Sequence, residues 1–326
     1  MLEINRKNSR LWSRMGARAF YGSALSAIAA ENQNVIALSA DLGRSSGLAR
    51  FAAEYPEQFI NTGIAEQSMV GTSAGLSRMG YDVFASTFAP FASLRAGEIV
   101  RMNMGYMQEP VKLVALGSGL AMGFLGNSHY GLEDVAIMRA IPGITIVSPA
   151  DCAEIYKTLL ECLNYKHPVY IRLTGAINLP IVYEADYEFE IGKGVWIRPP
   201  KETSIISSGT TVGHSLRAIN ELEQQGCEIG LLNMHTIKPL DHKSIDECVK
   251  ISANICIIEE HTRVGGLGSA VLEYVNEQHP NYSGKILLHS LKDEYLTTGD
   301  YPFLLEQSKL DANGIKQFLQ TGLQIG

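Results

Sequence analysis

The sequence predicts an α/β protein made of two doubly wound domains, each built on a mainly parallel sheet. Short apolar runs alternate with segments of helical periodicity along nearly the whole chain, which is typical of strand–helix–strand units. The runs are almost continuously apolar, as expected for strands that helices cover on both faces. The chain has 326 residues, 46% of them apolar, which is enough for two domains with a large core.

The first predicted domain covers residues 1–180 and begins with a helix at 9–30, where apolar residues recur at helical spacing. This helix leads into an apolar strand at 35–40. A short strand at 58–62 then precedes a helix of small and apolar residues at 67–79. The other strands of this domain are predicted at 81–85, 111–116, 144–148 and 169–173, and the other helices at 91–103, 131–140 and 150–164.

Prolines and acidic residues interrupt the pattern between Leu179 and Lys201. We therefore predict that residues 181–200 connect the two domains and include a short strand or two. The second α/β domain is predicted at 201–326. Its strands are expected at 203–207, 228–232, 255–259 and 285–288, and its helices at 211–225, 242–252 and 268–277.

Composition excludes several classes of partner. The formal net charge is −7, the isoelectric point is near 5.7, and no run of Lys or Arg is present, which argues against a nucleic-acid partner. No apolar stretch approaches the length of a membrane span, and the N-terminal segment lacks the apolar region of a signal peptide. The five cysteines form no C-x-x-C pair or metal-ligand spacing, so we expect reduced thiols in a cytoplasmic protein.

The segment Gly63-Ile64-Ala65-Glu66-Gln67 places a carboxylate where a turn meets the start of a helix. A charged glutamate in such an apolar setting loses its hydration, which costs free energy. It therefore either caps the helix or exchanges a proton with a ligand. Ligands of open parallel sheets bind beyond the carboxyl ends of the strands. The residues predicted to lie at such ends are Asp41, Phe88, Gly117 and Arg172.

Several segments, in order along the chain, carry a resemblance to a known family: residues 40–45, 63–67, 86–88, 128–142 and 171–172. Together they resemble the pyrimidine-binding domain of transketolase and of 1-deoxy-D-xylulose-5-phosphate synthase. Residues 259–270, which include Gly265-Gly266-Leu267-Gly268, resemble the C-terminal domain of the same superfamily. The resemblance spans about residues 10–325 and implies a parallel-sheet pyrimidine-binding domain followed by a transketolase C-terminal-like α/β domain.

One departure from the family pattern indicates a split enzyme. These enzymes use thiamine diphosphate and hold its diphosphate and Mg²⁺ through a Gly-Asp-Gly motif, followed by an Asn-Asn pair, in a separate N-terminal domain. This sequence contains no Gly-Asp-Gly. The resemblance therefore implies a C-terminal transketolase subunit without metal ligands of its own. Its expected partner is an N-terminal subunit that carries the Gly-Asp-Gly motif, in an α2β2 heterotetramer.

The resemblance also assigns roles to individual residues. Glu66 matches the carboxyl group that hydrogen-bonds the pyrimidine N1′ and promotes its imino tautomer. His129 matches a catalytic histidine that contacts substrate oxygens and assists proton transfer. The coenzyme site is expected to contain Asp41, Leu42, Ile64, Glu66, Phe88 and Phe91. The substrate site is expected to contain Arg18, Ser45, His129 and Arg172, with the arginines suited to a phosphate.

The implied reaction is transfer of a two-carbon ketol or acyl unit from a ketose or 2-keto acid donor to an aldehyde. Transketolase carries a histidine and an acidic residue where this chain has Gly117 and Leu125, so the acceptor is expected to be either a sugar phosphate or a modified sugar. Two enzyme alternatives stay open: a 2-oxoacid dehydrogenase β-subunit and a decarboxylating ligase similar to deoxyxylulose-phosphate synthase. A non-catalytic scaffolding or regulatory subunit is the third alternative.

Overall fold

The computed structural model describes residues 1–323, so residues 324–326 of the predicted second domain lie outside it. The strands of the first half are β1 (Val35–Ser39), β2 (Phe59–Asn61), β3 (Asp82–Phe88), β4 (Lys112–Ser118), β5 (Thr145–Val147) and β6 (Val169–Thr174). Its helices are α1 (Arg6–Met15), α2 (Ala17–Ala29), α3 (Ala49–Glu54), α4 (Glu66–Arg78), α5 (Gly97–Val100), α6 (Asp134–Arg139) and α7 (Cys152–Asn164).

The second half contains a similar alternation of elements. Its strands are β7 (Val195–Arg198), β8 (Thr203–Ser207), β9 (Ile229–Asn233), β10 (Thr236–Lys238), β11 (Asn254–Thr262) and β12 (Lys285–Leu291). Its helices are α8 (Thr211–Glu223), α9 (His242–Ile251), α10 (Leu267–Gln278), α11 (Tyr301–Gln307) and α12 (Ala312–Leu323). Across the described residues, no helix is both long and apolar enough to cross a membrane.

Two sheets organise these elements, and the prediction of two α/β domains is confirmed. The first sheet has the order β10-β5-β6-β4-β3-β1-β2, and β1 to β6 are all parallel. Every residue of β1, β4 and β6 is buried, because helices cover both faces of the sheet. The parallel arrangement brings the carboxyl ends of these strands to one edge, where the candidate site lies.

The second sheet has the order β12-β11-β8-β9-β7 and is parallel except at β7, which pairs antiparallel with β9. Strand β7 lies inside the predicted connection, where a short strand or two was expected. Strand β10 follows the connection in sequence but pairs with β5 of the first sheet. The two halves are therefore joined through a shared sheet edge as well as through the chain.

The helix predicted at 9–30 is two helices, separated at Gly16. This glycine has φ +80°, a conformation that side chains disfavour, and a Cβ there would lie 2.1 Å from the carbonyl oxygen of Ala176. The prediction of helical structure on either side of Gly16 is confirmed. The break exists because the chain passes close to the loop after β6, and a sequence pattern does not report such an approach.

The helix predicted at 91–103 is also irregular. Residues 91–95 and 101–106 form wide π-helical turns on either side of α5, and the amide of Ala96 donates to the carbonyl of Phe91 at 2.9 Å. Turns of this kind are rare and occur frequently at functional sites. Here the first of them positions two side chains of the candidate site, Phe91 and Arg95.

Candidate active site

Three neighbouring strands, β2, β1 and β3, deliver the predicted coenzyme residues to one edge of the first sheet. Asp41 and Leu42 follow β1, Ile64 and Glu66 follow β2, and Phe88 ends β3. Asp41 is exposed and Leu42 packs, half-buried, against the core. The structure thus brings together residues that are far apart in sequence, as expected where the carboxyl ends of parallel strands meet at one edge of a sheet.

An asparagine that sequence reasoning missed connects the loops after β1 and β2. The Oδ1 of Asn61 accepts from the amides of Asp41 at 3.1 Å and Gly63 at 3.0 Å, and its Nδ2 donates to Asp41 Oδ1 at 3.2 Å. Gly63 has φ +72°, which lets the chain turn sharply between β2 and α4. Asn61 therefore fixes the turn that leads into Glu66, and its position at the end of a strand, two residues before a glycine, is the signal that could have identified it.

Glu66 is the first residue of α4, and only 3% of its surface is exposed. Its Oε1 accepts from Arg95 Nη1 at 2.8 Å. Within residues 1–323, its Oε2 has no hydrogen-bond partner, and no backbone N–H of the helix start donates to the carboxylate. Glu66 is thus not used as a helix cap here, and it keeps one oxygen available at the cleft.

An aromatic group lies beside this carboxylate and consists of Phe88, Phe91 and His129. The ring centroids are 6.0 Å apart for the two phenylalanines, 5.7 Å for Phe88 and His129, and 5.3 Å for Phe91 and His129, all in edge-on geometry. Such edge-on contacts orient the three rings relative to one another. Burial, and then the charge of Arg95, lower the pKa of His129 below 6.5, so its imidazole is mostly neutral at pH 7.

A pocket of about 340 Å³ lies beyond the ends of β1 and β6 and contains two predicted substrate residues, Arg18 and Ser45. Arg18 Nη1 donates to the carbonyl oxygen of Ser45 at 3.1 Å. Arg44, which the sequence reasoning did not single out, adds a second guanidinium to the same pocket. Two arginines and a hydroxyl in one concave site provide the donors that an anionic group requires.

The predicted role of Arg172 in binding a substrate phosphate does not fit its position. The side chain is only 3% exposed, and Nε donates to both carboxylate oxygens of Asp134 at 3.0 Å. Its Nη2 donates to the carbonyl oxygens of Gly131 at 3.0 Å and Glu260 at 2.8 Å. Arg172 therefore connects β6, the segment around α6, and β11 of the second half, where a ligand could not reach it.

Two further features limit what the chain can bind. Among the residues that the structure describes, no group of three or more His, Cys, Asp or Glu side chains could hold a metal ion. A larger pocket of about 1030 Å³ borders the connection between the halves and contains none of the predicted site residues. The strand-end cleft is thus the place where candidate catalytic groups converge.

Comparisons with known proteins agree with this fold. The family model "Transketolase, pyrimidine binding domain" matches residues 13–176, and "Transketolase, C-terminal domain" matches residues 192–315. A putative transketolase C-terminal section of Methanocaldococcus jannaschii is 38% identical over 92% of this chain and 94% of its own length. An apulose-4-phosphate transketolase subunit of Phocaeicola vulgatus is 34% identical over 92% of this chain and 95% of its own length.

A solved structure is also similar throughout. A split-gene transketolase in an inactive β4 tetramer has a TM-score of 0.82 and 35% identity, covering 94% of this chain and 98% of that one.

The two matched domains, in this order along the chain, define a protein of the transketolase type. The chain belongs to the transketolase family. The prediction of a transketolase-like transferase subunit is confirmed, since the relatives are named as sections or subunits of transketolases.

Proposed function

We propose that this chain is the C-terminal subunit of a split, thiamine-diphosphate-dependent transketolase. The enzyme moves a two-carbon ketol or acyl unit from a ketose or 2-keto acid donor to an aldehyde acceptor. The observation that carries the proposal is Glu66, a buried carboxylate at a helix start with one oxygen that no described residue engages. This oxygen is therefore available to hydrogen-bond a ligand that enters the cleft.

The residues present fit the pyrimidine ring of thiamine diphosphate. Glu66 would offer Oε2 to N1′ of the ring when that nitrogen carries a proton, and Phe88 and Phe91 would offer aromatic surface to the planar heterocycle. When bound, the coenzyme supplies the carbanion chemistry that protein side chains lack. Glu66 holds a proton at the ring N1′, while the two phenylalanines orient the ring and exclude water. Asp41, Leu42 and Ile64 complete the loops that border the ring.

His129, in the aromatic cluster, and the pocket of Arg18 and Ser45 are the proposed substrate groups. His129, largely neutral at pH 7, can donate to an oxygen on which charge develops or accept its proton. Arg18 and Ser45, with Arg44, bind an anionic end of the sugar in the 340 Å³ pocket. A relative's name supports a phosphorylated sugar, since that protein is an apulose-4-phosphate transketolase subunit. Arg172 is left out of this substrate site because of its buried ion pair.

A partner subunit is proposed to carry the Gly-Asp-Gly motif and to bind the diphosphate and Mg²⁺, in an α2β2 assembly. Beside Glu66, Ile64 is 77% exposed and Leu94 is 59% exposed. Apolar side chains at the mouth of a site that must exclude water are well explained by a second polypeptide covering them. The related β4 tetramer is described as inactive, which supports the need for a different partner. The five free cysteines support a cytoplasmic location.

Co-expression with the N-terminal subunit tests the proposal. The two purified chains, alone and combined, are assayed for transfer from hydroxypyruvate and from pyruvate to aldehyde acceptors with thiamine diphosphate and Mg²⁺. We expect activity only in the combined sample, with hydroxypyruvate preferred. A preference for pyruvate would favour a dehydrogenase-like or decarboxylating reaction. Full activity of this chain alone would contradict the split-enzyme proposal.

A further inference from the structure

The guanidinium of Arg95 makes two contacts at once in the candidate site. Its Nη1 donates to Glu66 Oε1 at 2.8 Å, and its Cζ lies 4.0 Å from the centroid of the Phe91 ring. The π-helical turn at 91–95 makes the second contact possible by placing the arginine over the ring that begins the turn. Gln67 Nε2 donates to the carbonyl of Arg95 at 3.2 Å and ties this turn to α4.

These two contacts are the ones that the proposed function assigns to the pyrimidine ring. A guanidinium is flat, carries N–H donors at its edge and stacks on aromatic faces. An aminopyrimidine that is protonated at N1′ and bound to Glu66 and Phe91 shares all three properties: a plane, an N–H directed at a carboxylate, and a face against an aromatic ring. Arg95 therefore imitates the ring, and both cannot lie on Phe91 and Glu66 in the same way.

We propose that Arg95 is an internal, displaceable occupant of the coenzyme's pyrimidine site. The inference rests on the proposed function and adds that the guanidinium must leave the face of Phe91, and with it Oε1 of Glu66, before the ring stacks there. Its side chain is 48% exposed, so water can solvate the displaced charge. Because only the molecules with Arg95 displaced can bind, the apparent affinity for the coenzyme is reduced by the fraction in which Arg95 is in place.

The test uses the two-chain enzyme with saturating Mg²⁺ and measures the dissociation constant of thiamine diphosphate by calorimetry. Arg95→Met keeps an apolar stem of similar length and removes the guanidinium. We expect its dissociation constant to fall about five- to tenfold, as expected for loss of one cation–π contact and one partly exposed ion pair. Arg95→Lys keeps the ion pair without the planar stack, and its dissociation constant is expected to lie between those of the wild type and Arg95→Met.

Arg101→Met is the matched control. It removes the same charge from the same helical segment, but among residues 1–323 Arg101 pairs with Glu98 alone, at 3.6 Å. Its dissociation constant is expected to stay within about twofold of the wild type.

The outcomes separate this inference from the proposed function. If the wild type binds the coenzyme and Arg95→Met binds it no more tightly, or more weakly, displacement is refuted and Arg95 instead holds Glu66 in position. If the wild-type two-chain enzyme does not bind thiamine diphosphate, the proposed function fails and this inference fails with it. Near-ultraviolet circular dichroism of each variant confirms that the comparison is made between folded proteins.

Discussion

Arg172 and Asp134 form a fully buried ion pair in which one guanidinium nitrogen contacts both carboxylate oxygens at 3.0 Å. Tyr170 donates its hydroxyl to the same carboxylate at 3.0 Å, and Arg172 also donates to the backbone of Glu260 in β11. The pair thus connects a strand of the first sheet to the second half of the chain. Removing one partner of such a buried pair lowers the stability of the fold, because the other charge is left buried without a counter-charge.

Replacing Arg172 by Met is expected to lower the free energy of unfolding by about 3–5 kcal/mol, because Asp134 is left buried without its counter-charge. Urea unfolding of the isolated chain measures this change. The control is Arg198→Met, which breaks a half-exposed pair with Glu223 at 3.4 Å and should cost less than about 1 kcal/mol. Unchanged stability, together with a higher KM for a phosphorylated substrate, would instead support the sequence prediction that Arg172 binds phosphate.

Glu66→Gln is expected to reduce kcat of the two-chain enzyme by about 10²–10⁴-fold, because an amide cannot exchange a proton with the pyrimidine N1′. The amide has nearly the same shape as the carboxylate, so co-purification with the partner should be unaffected. Steady-state kinetics of the co-purified complex measure the loss. Full activity of this variant would favour the scaffolding or regulatory alternative and remove Glu66 from the mechanism.

Arg18→Ala is expected to raise KM for a phosphorylated substrate by about 10–100-fold, because a charge-assisted hydrogen bond to the anion is lost. The KM for an uncharged substrate should change little. Arg14→Ala, which removes a charge from the exposed last turn of α1, is the control. Equal effects on charged and uncharged substrates would show that the 340 Å³ pocket does not recognise an anion.

We expect the free energy of unfolding to fall in acid because His261 is buried without a proton. Burial lowers its pKa to about 4, although the Asp134 carboxylate opposes this shift. The unfolded chain, with an ordinary imidazole pKa near 6.5, binds a proton between pH 6.5 and 4 that the folded chain does not. Stability from this group is therefore complete above pH 6.5 and falls as the pH drops, by at most about 3 kcal/mol.

The measurement is urea unfolding of wild type and His261→Gln between pH 7 and 4.5. The stability of the wild type should fall more steeply than that of the variant across this range. Using the difference between the two proteins removes the opposing contribution of groups such as Glu259, whose pKa burial raises to about 7. Parallel curves would show that His261 does not titrate on unfolding.

Much of the fold was readable from the sequence because its strands are buried on both faces. The apolar run predicted as a strand at 111–116 is β4, and the amphipathic pattern at 150–164 contains α7. What the pattern missed are elements whose position depends on distant contacts. Strand β10 has three residues and forms only because β5 offers a free edge. The break at Gly16 depends on the loop after β6.

Some features of the candidate site could likewise be predicted from the sequence, and others could not. Glu66, Phe88 and Phe91 belong to local motifs, and the resemblance of these motifs to the transketolase family is what implied a coenzyme site. The pairing of Arg95 with Glu66 spans 29 residues and depends on an irregular turn, which no periodicity reports. The burial of Arg172 depends on the second half of the chain covering it. It lies within β6, two residues before the end of that strand, and its burial could not be read from the sequence.

The most direct test of the account is a crystal structure of the two-chain enzyme with thiamine diphosphate and Mg²⁺. We expect the Glu66 carboxylate within about 2.6–3.2 Å of the pyrimidine N1′, with the Phe91 ring against the heterocycle and Arg95 turned away. A Glu66 side chain directed into solvent, or a ring bound elsewhere, would contradict the account.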